Sequence, residues 1–218
     1  MILNAQHISE AYQQGNIVID PFDEKQVQAA TYDLRVGEQG ATTTTKKIVN
    51  IKETGYILLQ PGDFGVITVL EEIRLGPQYT GRIGLRSKYA RKGLIATTGP
   101  QIDPGYHGRL IIGITNLTPN PISLPYKDDL LSVEIHRLEQ ATTKPYNGPY
   151  QDRLQLGPEE IEAITETEGM ALSDVMKTLQ SLSANVGTMA AEIKTLKWAI
   201  PVIVGLGMTI VSIIVALK

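Results

Sequence analysis

Residues 101–116 read QIDPGYHGRLIIGITN, a tight turn followed by an apolar, β-branched run. Asp103, Pro104 and Gly105 are residue types that favour turns, and the run behind them is typical of a strand. The same texture recurs in NIVID (16–20), YILLQ (56–60), FGVITVL (64–70) and LLSVEIHRL (130–138), with Pro, Gly, Asn and Asp between the runs. Many short strands with turns between them predict a mainly β fold, which is a sandwich, a jelly roll or a distorted barrel.

Composition excludes several classes of function. The chain has 218 residues, enough for one domain and an appendage, and a formal net charge of −3, which gives no broad basic field for duplex nucleic acid. It has no cysteine, which excludes disulfides, thiolate metal sites and cysteine nucleophiles. The three histidines, His7, His107 and His136, are scattered and do not predict a zinc site.

The carboxyl-terminal part contains a long uncharged run, AIPVIVGLGMTIVSIIVAL, over residues 199–217. As a helix it would span roughly 28 Å, close to the hydrocarbon thickness of a bilayer. Lys194 and Lys197 precede the run and Lys218 follows it. The pattern predicts a single-pass transmembrane helix with the globular domain in the cytoplasm.

Between these two parts lies a regular helical pattern. PEEIEAITETEG (158–169) predicts a short acidic helix that begins at Pro158 and ends at Gly169. Apolar residues then follow at alternating spacings of three and four: Leu172, Val175, Leu179, Leu182, Val186, Met189, Ile193 and Leu196. The spacing continues in phase to Leu217 and predicts a self-associating coiled coil whose number of strands the residues do not fix. The predicted plan is a β domain with a lid over 1–158, an acidic helix and heptad stalk over 159–198, and the membrane helix.

Polar residues gather in ATYDLRVG (30–37), GRIGLRSKYARKGL (81–94) and GPQIDPGYHGRL (99–110). Arginine guanidinium groups, a serine hydroxyl and the main-chain amides of turns in such segments can bind the oxygen atoms of a polyphosphate. The chain has neither a P-loop nor a GxGxxG motif. From the residues alone, a solvated basic face is the favoured interpretation and a polyphosphate site is the alternative.

In their order and spacing these segments, together with PYNGPYQ (145–151), resemble the dCTP deaminase/dUTPase superfamily. The resemblance implies a distorted jelly-roll β-barrel that assembles as a homotrimer with nucleotide sites between subunits. It assigns nucleotide binding to the following residues: Arg86, Ser87, Lys88, Arg91, Asp103, Tyr106, Tyr146, Tyr150 and Gln151. Asp103 would be the catalytic base for hydrolysis, and Tyr106 would stack on the sugar. Asp33 would belong to the surroundings of a Mg²⁺ ion bound with the triphosphate.

One departure from the resemblance bears on the reaction. Deaminases of the superfamily carry a catalytic glutamate ten residues after the motif aspartate, where this chain has Gly113. Glycine transfers no proton, so deamination of dCTP is not expected. Three interpretations remain open: a non-catalytic nucleotide sensor acting at a membrane, for example in antiviral defence; a Mg²⁺-dependent dUTP diphosphatase; and a barrel that serves only as a scaffold.

Overall fold

The computed structural model describes the backbone of residues 1–167 and 172–216. It describes the side chains in these ranges except those of residues 166, 167, 172–177, 191, 209, 211, 212 and 214–216. The predicted helix end at Gly169 and the predicted seam side chains of Leu172, Val175, Ile214 and Leu217 lie outside the described residues.

The described chain is rich in strands and ends in helices. The strands are β1 (Ile17–Asp20), β2 (Tyr32–Thr42), β3 (Val49–Asn50), β4 (Tyr56–Leu59), β5 (Phe64–Leu75), β6 (Tyr79–Leu85), β7 (Leu94–Ala96), β8 (Gln101–Ile102), β9 (His107–Asn116), β10 (Ile122–Pro125) and β11 (Asp129–Arg137). The helices are α1 (Ala5–Gln13), α2 (Ile51–Thr54), α3 (Ser87–Ala90), α4 (Pro158–Thr167) and α5 (Leu172–Ala216). A short 3₁₀ turn occupies Glu24–Gln26.

Antiparallel pairing joins most of the strands into one curled sheet. Its main path runs β7-β9-β5-β2-β11-β6-β8, with β1 beside β5 and β3 beside β2, while β4 and β10 form a separate pair. The pairing shifts register within β2, β5 and β11, and such irregularities bend strands. At Gly37 in β2, a Cβ atom would lie 2.5 Å from the carbonyl oxygen of Val69, so only glycine fits there. The prediction of a mainly β fold is confirmed.

The hydrophobic core lies inside the curl of the sheet. Tyr32, Leu34 and Val36 alternate along β2 and are fully buried, as are Ile67 and Val69 on β5. Each buried side chain of this size contributes about 1.5–3 kcal/mol to folding. The period-two alternation that predicted the strands therefore also identifies the face that forms the core.

Helix α4 begins at Pro158, as the sequence predicts, and packs on the outside of the sheet. Ile164 of α4 is fully buried and joins Leu156, Ala41 of β2 and Val66 of β5 in a second apolar cluster. Residues Met1–Ser173 form one compact unit, which includes α4, and Asp174–Lys218 form another.

Helix α5 runs without interruption through Pro201 over 45 residues. Within the described residues, however, no helix combines enough length with enough apolar character to span a bilayer. The predicted transmembrane helix over 199–217 and the single-pass membrane location are therefore wrong. The prediction used the whole charge-free run to Leu217, whereas the described side chains within it are those of residues 199–208, 210 and 213, and these do not make up a stretch long enough to cross a bilayer.

Candidate functional site

A pocket of about 650 Å³ opens beside the turn at residues 103–106. Asp103 and Tyr106 line it from the turn, and Tyr146 and Tyr150 line it from the segment that follows the barrel. Gly113 of β9 lies in its wall. The fold thus brings together the predicted side chains of Asp103 and Tyr106 with those of Tyr146 and Tyr150, although the two pairs are distant in sequence.

The turn is held rigidly by main-chain hydrogen bonds. The amide of Tyr106 donates to the carbonyl of Asp103 (3.1 Å), and Gly105 and Tyr106 both bond to Leu75 at the end of β5. The Asp103 carboxylate is half-buried and accepts a hydrogen bond of 2.6 Å from the Gln101 side-chain amide. The carboxylate therefore has a fixed direction at the pocket wall and keeps oxygen lone pairs available for a ligand.

Tyr106 forms the apolar floor of the pocket. Its hydroxyl donates to the carbonyl oxygen of Arg109 (3.0 Å), and its ring lies 5.7 Å from that of Tyr146 between centroids. Burial, and next the nearby Tyr146, raise the pKa of the Tyr106 hydroxyl well above its ordinary value. The phenol therefore stays neutral at physiological pH and offers a flat aromatic surface.

Residues 145–153, here called the lid segment, lie directly on the turn. The amide of Tyr146 donates to the carbonyl of Pro104 (2.7 Å). The Gln151 side chain donates to the carbonyl of Gly105 (3.1 Å) and accepts from the amide of His107 (3.2 Å). The amide of Gln151, predicted to bind nucleotide, is thus used to attach the lid segment to the barrel.

A histidine completes this attachment. His107 Nδ1 lies 2.5 Å from Asp152 of the lid segment, and Nε2 lies 2.6 Å from Glu72 of β5. Both ring nitrogens face carboxylates, and only the imidazolium form can donate from both. The hydrogen bond to Asp152, followed by the one to Glu72, raises the pKa of His107.

The basic segment at 86–92 does not line this pocket. Arg86 pairs with Asp33, and the Lys88 ammonium lies 2.6 Å from Asp128. Ser87 is the first residue of α3 and Arg91 directly follows the helix, and both side chains are exposed. Strand β6 brings Arg82 beside Gln101, but Arg86 stands four residues further along, roughly 13 Å away at strand spacing. Within one copy the predicted phosphate-binding residues are therefore separate from Asp103 and Tyr106.

Asp33 does not suit the metal role that the resemblance implies. Its carboxylate is fully buried, with one oxygen paired to Arg86 and the other accepting from the Ser132 hydroxyl (2.7 Å). Neither oxygen is open to a cation. Among the described residues, no group of three or more His, Asp or Glu side chains could hold a metal ion.

Two threonines occupy the space beside Gly113. The Gly113 amide donates to the Thr98 hydroxyl (2.5 Å), and a Cβ atom at position 113 would lie 2.5 Å from the Thr97 hydroxyl oxygen. Both threonines line the pocket. The position where the superfamily's deaminases carry their glutamate thus has neither a carboxylate nor ready room for one.

Arg109, Glu159 and Glu160 also line the pocket. The sequence grouped Arg109 with the basic residues that suit a polyphosphate and gave no sign of Glu159 or Glu160. The Arg109 Nε atom is buried and has no hydrogen-bond partner within the described part of the chain. Glu159 and Glu160 instead pair with Arg153, each at 2.8 Å. Alternation along β9 could have indicated Arg109, because it shares a strand face with Gly113, but no local pattern indicates that α4 reaches the pocket.

Comparison with known proteins gives the family. The dCTP deaminase-like family model matches residues 2–131. The chain is 36% identical over 140 residues to a dCTP deaminase of Thermococcus sibiricus, covering 64% of this chain and 88% of that protein. It is 29% identical over 175 residues to a dUMP-forming dCTP deaminase of Methanothermobacter thermautotrophicus, covering 72% and 89%.

A solved structure shows the same fold. The crystal structure of the 2′-deoxycytidine 5′-triphosphate deaminase from Agrobacterium tumefaciens superposes with a TM-score of 0.53 at 18% identity. The match covers 62% of this chain and 47% of that one, so this chain spans less than half of that protein's length. With more than half of its residues matched by the family model, this chain belongs to the dCTP deaminase-like family.

Proposed function

We propose that this chain binds a pyrimidine deoxynucleoside triphosphate in the pocket at Asp103 and does not deaminate it. The observation that carries the proposal is the convergence of Asp103, Tyr106, Tyr146 and Tyr150 on one pocket whose wall has Gly113 where a deaminase needs its glutamate. The ligand class follows from the relatives, which are named dCTP deaminases.

The chemistry of the pocket suits a nucleoside. An aromatic floor can stack on a deoxyribose, and a fixed carboxylate can accept a hydrogen bond from a sugar hydroxyl. The volume of about 650 Å³ lies within the range of small-molecule sites. The neutral phenol and the apolar wall give selectivity for shape, and Asp103 adds a polar contact of defined direction.

The triphosphate would be held by a second copy. Arg86, Ser87, Lys88 and Arg91 lie away from the pocket of their own chain, so a homotrimer in which a neighbour supplies this basic segment would complete the site. Mg²⁺ would arrive with the triphosphate, and Asp33 has no part in holding it because its oxygens are occupied.

Hydrolysis to a nucleoside monophosphate and pyrophosphate is the second candidate. It is favoured by the half-buried Asp103 carboxylate, which is aimed by Gln101 and could orient or deprotonate a water molecule. A nucleotide sensor that binds without turnover would use the same site as a hydrolase. The two functions differ in whether pyrophosphate is released.

Calorimetry on the full chain tests the proposal. The wild type, Asp103→Ala, Arg91→Ala and Lys47→Ala would be titrated with dCTP, dUTP and dTTP in the presence of Mg²⁺, with CTP as the ribose control. Arg91 is preferred to Arg86 because it is exposed and Arg86 pairs with the buried Asp33. Lys47 is exposed and lies outside both the basic segment at 86–92 and the pocket lining, so Lys47→Ala serves as the matched control.

We expect the wild type and Lys47→Ala to bind at least one deoxynucleotide equally well. Asp103→Ala and Arg91→Ala should each weaken binding by about tenfold or more, as loss of a charged hydrogen bond implies. No ammonia should be released from dCTP. Pyrophosphate that appears with the wild type and not with Asp103→Ala would select hydrolysis, and a wild type that binds none of the three deoxynucleotides would refute the proposal.

A further inference from the structure

Helix α5 carries an apolar stripe whose side chains are exposed in the part of the chain that the structure describes. The stripe consists of Leu179, Leu182, Val186, Met189, Ile193 and Leu196. These side chains are between 52% and 61% exposed, as open as side chains on an isolated helix. Six large apolar side chains on one face of a helix need a partner, because exposed apolar area of this extent is unfavourable in water.

The spacing identifies the kind of partner. Leu179, Val186 and Ile193 fall at the first core position of successive heptads, and Leu182, Met189 and Leu196 fall at the second. A strict alternation of three and four keeps both positions on one narrow face, which is the seam by which helices pack on helices of the same kind. The stripe is therefore complementary to itself, and a second copy of α5 fits it.

Charged residues beside the seam fix the orientation. Glu192 directly precedes a first core position and Lys197 directly follows a second one, five residues further on. In a parallel, in-register pair these two flanking positions face each other across the helices. In an antiparallel pair each flanking position faces its own kind, so Glu192 and Lys197 would not meet. They are the only charged residues in the flanking positions between 178 and 204.

We propose that α5 joins copies of this chain in a parallel, in-register coiled coil whose orientation is set by Glu192 of one copy facing Lys197 of the next. The interface does not depend on the nucleotide pocket. It places the carboxyl-terminal helices of all copies side by side and pointing the same way.

The absence of cysteine makes the orientation directly measurable. Leu182→Cys and Leu196→Cys each introduce a single thiol into the seam, and Lys194→Cys puts one on the outer face as the control. Each full-length variant would be oxidised and run under non-reducing conditions. Equivalent core positions of a parallel pair lie within reach of a disulfide. An antiparallel pair can bring only one position along the helix next to its own copy.

We expect both seam variants to crosslink efficiently and Lys194→Cys to crosslink several-fold less. Crosslinking at only one of the two seam positions would overturn the parallel register. Equal crosslinking at position 194 would overturn the seam. A full chain whose mass in solution is that of a monomer at micromolar concentration would overturn the whole proposal.

A charge exchange separates the seam from any contact made by the barrels. Glu192→Lys and Lys197→Glu would each set like charges opposite one another, and the double exchange would restore attraction in a parallel register only. We expect each single variant to weaken the concentration-dependent helix association, followed by circular dichroism, by about tenfold, and the double variant to return to within about twofold of wild type. Four indistinguishable proteins would refute the assigned pair.

Discussion

Two residues of the motif ATYDLRVG, Asp33 and Arg35, lie two positions apart on β2, and both form ion pairs within the barrel. Asp33 pairs with Arg86, while Arg35 donates its Nε to Glu71 at 2.6 Å and its amide to the same carboxylate at 2.9 Å. Glu71 is fully buried, and burial raises its pKa, although the bonds from Arg35 oppose that shift. A charged residue within a strand can thus serve the fold, and its identity alone does not distinguish this role from ligand binding.

Replacement of Asp33 by Asn tests its structural role. The change keeps an acceptor for Ser132 and removes the charge that Arg86 faces. Because it breaks a buried ion pair, we expect a loss of about 3 kcal/mol in the free energy of unfolding, at the low end of the range since Arg86 is partly exposed. Denaturant unfolding with and without Mg²⁺ measures it, and the loss should be the same in both.

Ser132→Ala is the matched control for Asp33, because it removes one hydrogen bond to the carboxylate and keeps the ion pair with Arg86. It should cost about 1.5 kcal/mol. Unchanged stability of Asp33→Asn, combined with loss of Mg²⁺-dependent nucleotide binding, would instead support a role of Asp33 near the metal.

Gly105 holds the turn against the lid segment. Its φ is +86°, and a Cβ atom there would lie 2.6 Å from the Cβ of Pro145. Gly105→Ala should therefore lower the free energy of unfolding by about 1–3 kcal/mol and increase protease cleavage within residues 145–153. Gly84→Ala is the control, since an added Cβ meets no atom within 4 Å there. Equal effects of the two substitutions would contradict the assigned contact.

At the scale of elements, the lid segment is attached by contacts between residues far apart in sequence. Glu72, His107 and Asp152 lie on β5, on β9 and in the lid segment, and the histidine joins the other two. The sequence shows three isolated titratable residues and gives no reason to group His107 with the other two. Local patterns predict elements, whereas an ion cluster depends on which elements the fold brings together.

The His107 cluster should make attachment of the lid segment depend on pH. The pKa of His107 is raised in the folded chain, so its contribution to stability is complete below the unfolded value of about 6.5 and is lost as pH rises through the folded value. We expect the stability advantage of wild type over His107→Gln to be largest near pH 6 and to shrink toward pH 9. Urea unfolding of both proteins across this range measures it.

His7→Gln, on the exposed side of α1, controls for removal of an imidazole. A difference between wild type and His107→Gln that is flat or increases with pH would contradict the predicted ion pairs.

At the scale of the whole molecule, the longer strands and the start of α4 were predictable, because alternation, turn residues and Pro158 are local signals. The grouping of IDPGY with the lid tyrosines was partly predictable, because the resemblance assigns them to one site and their side chains line one pocket. The acidic wall from α4 was not, because its contact with the barrel is made by Ile164 and Leu156, whose burial has no signature outside the folded chain.

The division into two units predicts what a shortened chain would do. All of the described buried core residues belong to Met1–Ser173, and the described side chains of the second unit are largely exposed. A chain ending after Ser173 should therefore keep the thermal unfolding midpoint of the barrel, because it retains all of these core residues, while its self-association weakens by the contribution of the α5 seam. Calorimetric unfolding and light scattering on both lengths measure the two effects separately.

A chain ending after Gly157 is the contrasting variant, since removal of Ile164 should cost about 2–5 kcal/mol from the second apolar cluster. If the chain ending after Ser173 unfolded at a much lower temperature than the full chain, the expectation that residues 1–173 hold the stability of the barrel would be wrong.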